Sequence, residues 1–429
     1  QITVCCVRGT VLHALWPLEA WRKGMVIMID KWIPLERVLR FPEVTPEQVT
    51  AALQQCVDQV RNNLPAFEAK FPAANSEHNF YTPGPNTDWT PGFWTGEVWL
   101  AYENAKNDSD RFLFRKAGDC QVDSFLKRIN IKHYVDHHDM GFLYIPSCVA
   151  AYKLTGSVSA REAALKAANQ LITRYRPIGE YIQAWGTMDD PNNHRLIIDC
   201  LLNIPLLYWA TEVTGDGKYR EVAEKHIHTT MKHIIREDGS TWHTVFFDSN
   251  TGGFVRGATC QGYRDSSAWA RGQAWGVYGT AIAYKNTGRA EYINYFKRIA
   301  QYFLTHLPDD LCPYWDLGFG NGDEADQPRD SSSSAIVCCG FLEMSKYLPQ
   351  EDAEYYTSLA KRLVAALIRG YQVKNDCVSN GQLLHGTYAK KTPYNTCVNA
   401  GVDECVIWGD YYFMEALTRL KNPNWEMYW

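Results

Sequence analysis

What most constrains this chain is a repeated pairing of helices. A helix rich in aromatic and small residues is followed, after a short turn, by a more charged amphipathic one, and the pair recurs along the sequence. The spacing predicts such pairs at 93–104 with 109–129, 140–154 with 159–175, 196–213 with 218–236, 269–286 with 290–307, and 333–347 with 352–370. A sixth apolar helix, 405–420, has no following partner, and an amphipathic helix at 46–63 has no preceding one. Thr45 before Pro46 is a helix-start signal, and Val49, Leu53, Val57 and Val60 recur at helical spacing. Thr155–Gly156, Thr214–Gly215 and Thr287–Gly288 end the first helix of three pairs, glycine supplying the left-handed conformation of a C-terminal cap. Six hairpins that close with the first helix beside the last predict an all-α fold, an α/α toroid in one domain. An open solenoid would show tighter repeats and explicit caps.

Strand signals are sparse. The best is 239–257, where 241–247 alternates and SNTGG makes a turn; a toroid carries such a hairpin insertion on the face where its inner helices begin. Residues 1–40 are expected to be an N-terminal extension outside the fold, with 41–429 a single catalytic domain. The first 24 residues lack the order of a signal peptide, and Met25 offers a natural start.

Composition narrows the function classes. A net charge of −5 over 429 residues argues against nucleic acid or a polyanion held by long-range field, so an anionic substrate would need a local Arg or Lys. No apolar run reaches membrane-spanning length. Thirteen scattered Cys without C-x-x-C spacing read as reduced thiols in a cytoplasmic protein, not as disulfides or a zinc site. With 15 Trp and 25 Tyr the chain is rich in faces that stack on sugar rings, though many also fill cores.

Each inner helix begins after a polar or aromatic cluster, so a toroid gathers Asp88–Trp89, His137–His138–Asp139, Asn192–His194 with Asp199, Asp265 with Arg271, Asp330, and Asn399 with Asp403 around one mouth. Helix N-termini add partial positive charge there. Asp199 is the sharpest candidate. It lies in the apolar run 195–210, expected as a continuous core helix, with Asn203 on the same face. A carboxylate among Ile197, Ile198, Leu201 and Leu202 is either a structural cap, hydrogen-bonded in its place, or a group at work. Asp139 reads first as the N-cap of the helix starting at Met140. His137–His138–Asp139 lacks helix-borne ligand spacing, and neither metal nor cofactor is expected. Asp265 and Asp330 precede serines and read as caps. Arg271 and Trp275 share a helix face; a buried Arg wants an anion, either a structural Asp or a substrate carboxylate. Trp94, Trp185 and His243 read individually as core or edge residues.

Taken together, the blocks NTDWTPGFWTGEVWLAYE (86–103), HHDMGFLY (137–144), IIDCLLNIPLLYWA (197–210), TWHTVFFDSNTGGFVRGATCQGYRDSSAWARGQAWGVYG (241–279), RDSSSSAI (329–336) and VDECVIWGDYYFMEAL (402–417) resemble the unsaturated glucuronyl hydrolases, glycoside hydrolase family 88, from about residue 46 to 420. The resemblance implies an (α/α)6 barrel that removes an unsaturated glucuronyl residue from lyase-generated glycosaminoglycan oligosaccharides, as a monomer or dimer without cofactor. It implies Asp199 as general acid/base and Asp139 as the second essential carboxylate, with Trp94, His138, Trp185, His243, Gln261, Arg271 and Trp275 lining the sugar pocket. The stretch 383–395 resembles a loop that in some members binds substrate sulfate through Ser and Lys. Here Gly386 and Ala389 replace the serines while Lys391 remains. Rival readings are an unsaturated rhamnogalacturonyl hydrolase, an ordinary inverting glycosidase, a sugar epimerase, and a noncatalytic sugar-binding toroid.

Overall fold

The computed structural model describes residues 36–320 and 322–429. Six inner helical stretches run along one axis. They are Pro91–Asn104; Met140–Tyr144 continued by a π-helical turn Ile145–Val149 and Ala150–Thr155; Cys200–Asn203 with Pro205–Thr214; Ala270–Thr287; Ser331–Met344; and Ile407–Lys421. Each packs on the next, and the last packs on the first, so the ring closes. The outer layer is Asp108–Asn130, Val158–Ile172, Gly217–Ile234, Glu291–Thr305, Gln350–Gly370 and Pro46–Phe67, the last lying against Ile407–Lys421. The fold is an (α/α)6 barrel.

Burial explains the two layers. In Ala270–Thr287 every residue from Ala270 to Ala283 is buried, the signature of a helix surrounded by protein. Its outer partner Glu291–Thr305 buries only Tyr292, Phe296, Ile299, Ala300, Phe303 and Leu304, one stripe at helical spacing. Thr45 and Gln48 form a reciprocal capping box at the start of Pro46–Phe67. Gly156, Gly215 and Gly288 have φ of 70°, 73° and 66°, the left-handed caps anticipated from the Thr–Gly pairs.

One element departs from the sequence reading. The run 195–210 is not one helix: Arg195–Ile197 is a strand, and a helix starts only after Asp199. Strand Arg195–Ile197 pairs with Thr244–Phe247, which pairs with Phe254–Ala258, so the anticipated hairpin is a three-stranded sheet. Tertiary pairing outweighs the helical pattern here, because Leu196 and Val245 bury together on one face of that sheet. A second hairpin, Gly386–Ala389 with Ala400–Glu404, was not anticipated. Both insertions lie where inner helices begin, as the His385 carbonyl accepts from Ser331 N and Thr244–Phe247 pairs beside Asp199.

The opposite end is closed. Trp425, Met427, Tyr428 and Trp429 are buried there, and Lys153 donates to the Met427 and Tyr428 carbonyls. The eleven described cysteines are free thiols, most of them buried. Of the expected extension 1–40, residues 36–40 form a helix that buries Val38, and residues 1–35 lie outside the described residues.

Candidate active site

The strand-to-helix junction after Ile198 sets Asp199 at the mouth of the barrel. Its Oδ1 is enclosed and has no hydrogen-bond partner among the described residues. Burial pushes its pKa up to about 7, the negative charge of Asp139 adds to the rise, and Arg271 opposes it. Asp199 is therefore an acid that keeps its proton near neutrality.

Asp139 faces the opposite treatment. It occupies the N-cap position of Met140–Tyr144 but makes no side-chain capping bond. Its Oδ1 instead accepts from Asn203 Nδ2 at 3.1 Å and lies 3.3 Å from His138 Nε2. Burial would raise its pKa, but His138, His137 and the Asn203 amide outweigh it and hold the carboxyl below its usual value. Asn203 Nδ2 also donates to the Asp199 carbonyl at 3.1 Å, and Asn203 Oδ1 accepts from Phe142 N at 2.8 Å. One amide thus ties both acidic residues to two neighbouring helices. Gly141 makes this approach possible, since a Cβ there would lie 2.3 Å from Asn203 Cα.

The histidines beside them are neutral bases. Burial takes His138 down to a pKa of about 4 and His243 to about 3. His243 Nδ1 accepts from Cys260 N at 3.1 Å and Gln261 N at 3.3 Å, which leaves the ring hydrogen on Nε2. His243 packs on Trp269 with ring centroids 4.2 Å apart. Arg271, 1% exposed, pairs with Asp330 at 3.2 Å and donates to the Thr387 and Tyr388 carbonyls at 2.6 Å each. Its guanidinium lies 4.5 Å from the Trp269 ring and 4.7 Å from the Trp408 ring. Trp89 stacks on Trp408 at 5.0 Å and donates its indole N–H to Tyr388 Oη at 2.9 Å. An acid, a carboxylate, neutral imidazoles and an aromatic wall suit a sugar ring and proton transfer.

The Glycosyl Hydrolase Family 88 model matches residues 66–421. The unsaturated chondroitin disaccharide hydrolase of Streptococcus pneumoniae is 44% identical over 94% of this chain and 99% of that protein. The unsaturated glucuronyl hydrolase of a Bacillus species is 42% identical over 84% of this chain and 93% of its own length. The crystal structure of unsaturated glucuronyl hydrolase from Streptococcus agalactiae superposes with a TM-score of 0.86 at 42% identity, covering 94% of this chain and 98% of that one. The chain belongs to glycosyl hydrolase family 88. It is a glycoside hydrolase.

Within this family 88 barrel the expected site residues separate. Asp139, Asp199, His138, His243 and Arg271 come together, each within electrostatic reach of another. Gln261 joins them through Nε2, 3.3 Å from the Tyr388 carbonyl. Trp185, 36% exposed, lies parallel to the His137 ring at 4.4 Å and forms an outer wall. Trp275 is fully buried one turn below Arg271, against Phe142 at 5.1 Å, and its indole N–H has no partner among the described residues. Trp94 is turned away: its indole N–H donates to the Phe67 carbonyl at 3.0 Å inside the wall between layers. Lys391 is held by its own loop, Nζ donating to the Asn395 carbonyl at 2.8 Å.

Trp269, Tyr388 and Trp408 were missing from the sequence-based set, which put Trp89 and Asp330 at the mouth without assigning either to the pocket. A signal existed for Trp89, which stands beside Asp88 just before the helix begins, whereas Trp94 is one turn inside it. Asp330 reads as a cap, and its oxygens do accept from Ser332 and Ser333 hydroxyls, yet it also carries the Arg271 charge. Nothing in the alternation around Tyr388 announces a strand.

Proposed function

We propose that this enzyme removes the non-reducing-end 4,5-unsaturated glucuronyl residue from oligosaccharides that lyases release from glycosaminoglycans. The observation that carries the reading is Asp199, a single carboxyl kept protonated by burial beside an ionised Asp139. The C4=C5 bond of such a sugar is a vinyl ether. Asp199 donates its proton to C4, leaving an oxocarbenium-like centre at C5. Water adds to C5 and gives its proton to the Asp199 carboxylate, which restores the acid. The hemiketal opens and expels the remaining sugar, so the anomeric carbon is never attacked directly, unlike hydrolysis by two carboxylates across that carbon. Asp139 accepts hydrogen bonds from ring hydroxyls, and His243 Nε2–H donates toward the sugar or the water. The substrate class is supported by the S. pneumoniae relative, an unsaturated chondroitin disaccharide hydrolase, and the Bacillus relative, an unsaturated glucuronyl hydrolase. The many buried free thiols support a reducing, cytoplasm-like compartment.

The test follows the ultraviolet absorbance of the conjugated uronate during incubation with unsaturated chondroitin or hyaluronan disaccharides. Wild-type enzyme should remove the absorbance in step with sugar release. Asp199→Asn should remain folded, bind substrate, and lose at least about a thousandfold in kcat, roughly 4 kcal/mol of barrier. Turnover in heavy water should place deuterium on one face of C4. Retention of a tenth of the rate by Asp199→Asn, or label on both faces, would remove Asp199 from the proton transfer.

A further inference from the structure

The negative net charge leaves an anionic oligosaccharide dependent on local cations. The two cations expected for that task are occupied, Arg271 by Asp330 and two carbonyls, Lys391 by Asn395. Two others are not. Arg195, Phe246 and Arg256 stand directly opposite one another across the three-stranded sheet. The Arg256 guanidinium lies 4.1 Å from the Phe246 ring and that of Arg195 5.9 Å from it. Every ion pair and side-chain hydrogen bond found among the described residues leaves both guanidiniums out, and Arg256 is exposed. Stacking on one ring restricts two flexible side chains while leaving their N–H edges unspent.

Their position is fixed by backbone bonds leading out from the acids. His138 N donates to the Ala184 carbonyl and Ala184 N to the Arg195 carbonyl, each at 3.0 Å. At ~4.8 Å per neighbouring strand, Arg195 lies on the order of 10 Å sideways from His138, with Arg256 a similar distance beyond. Arg195 is four residues before Asp199, at most ~13 Å of extended chain. Its charge is felt by His138, and Cys260, which acts on Arg195, is bonded through its N–H to His243. Asp190 is the nearby acid, and its Oδ1 is taken by Asn192. The row therefore lies outward of the acids beside Trp185, beyond the reach of an unsaturated ring held at Asp199.

We propose that Arg195, Phe246 and Arg256 form a subsite for an anionic group, a sulfate ester or a second uronate carboxylate, on the part of the oligosaccharide that is released. The proposal rests on the reading of the reaction given above. Its test uses an unsulfated unsaturated chondroitin disaccharide, its monosulfated counterpart, and an unsulfated unsaturated tetrasaccharide that carries a second uronate. The dissociation constants of all three are measured by calorimetry on Asp199→Asn protein, with and without Arg195→Gln and Arg256→Gln together. The double change should weaken the anionic ligands about tenfold relative to the disaccharide, and Arg256→Lys should recover part of that loss. Loss for the sulfated ligand alone assigns sulfate; loss for the tetrasaccharide alone assigns the carboxylate. An unchanged ratio for both, or no binding of either anionic ligand to the parent, overturns the subsite. Binding that responds as expected, with no turnover by wild-type enzyme, would instead overturn the reaction and leave the subsite standing.

Discussion

In the proposed reaction Asp199 works because burial keeps a proton on it, and that choice has a pH signature. Its pKa rises from 3.8 to about 7, while that of Asp139 falls below 3.8. Both residues hold the required charge between those limits, so kcat/KM should be level from about pH 5 to 6 and fall tenfold per unit above about 7. An alkaline limb beyond pH 9 would assign the acid elsewhere. The same shift bears on stability. The native state holds a proton that the unfolded chain releases above about pH 4, so this contribution is complete at low pH and lost as pH rises through 7. Asp199→Asn stays neutral and is expected to melt about 2 °C above wild type at pH 8, with no such gain at pH 4. In the proposed reaction the proton that serves activity costs stability at this residue.

At the scale of elements, the two acids are set by how closely neighbouring inner helices approach. Gly141 lies against the backbone of Asn203, whose amide joins Asp139 to the Asp199 carbonyl. Gly141→Ala must push those helices apart, and a shift near 1 Å in a catalytic pair costs on the order of a hundredfold in rate. Kinetics of the variant should show the loss in kcat, with circular dichroism unchanged. Arg271 plays the corresponding part for the hairpin Gly386–Ala389, whose Thr387 and Tyr388 carbonyls it grips while neutralising Asp330. Lys carries the charge without the planar fork, so Arg271→Lys should loosen the hairpin and cost activity. Arg271→Ala, which strands a buried Asp330, should cost about 3–5 kcal/mol in denaturant unfolding.

The whole barrel carries a second acid pair that is structural. Glu97 on the first inner helix and Asp410 on the sixth meet where the ring closes; both are buried, bridged by Gln382 and Leu383. Burial pushes Asp410 up to about 7 and raises Glu97 well above its usual value, the charge of Asp410 adding to the latter. Both shifts mean that the folded barrel retains protons the unfolded chain has lost, so closure weakens as pH rises through 7. Glu97→Gln should raise the melting temperature by about 2 °C at pH 8 and leave it level at pH 4. Loss of stability at both pH values would show that ionised Glu97 is the form the fold needs.

The helical periodicity, the Thr–Gly caps and the apolar inner segments were legible in the chain because they are local: each depends on neighbours three or four residues away. They carry the toroid, its closure by Pro46–Phe67, and the placement of one polar cluster before each inner helix. The functional candidacy of Asp139 and Asp199 was legible too, and so was a raised pKa for Asp199 in its apolar run beside an ionised Asp139. What holds Asp139 ionised was decided by tertiary structure, since Asn203 reaches it from another segment while His138, its chain neighbour, is turned onto it. The same holds for the strand Arg195–Ile197, whose partners lie some fifty residues on, at Thr244–Phe247. Trp89 and Trp94 are five positions apart and alike in composition, yet one faces Tyr388 and the other Phe67. Which way each indole turns depends on a helix start at Pro91 and on two chain segments distant in sequence, information that no short stretch contains.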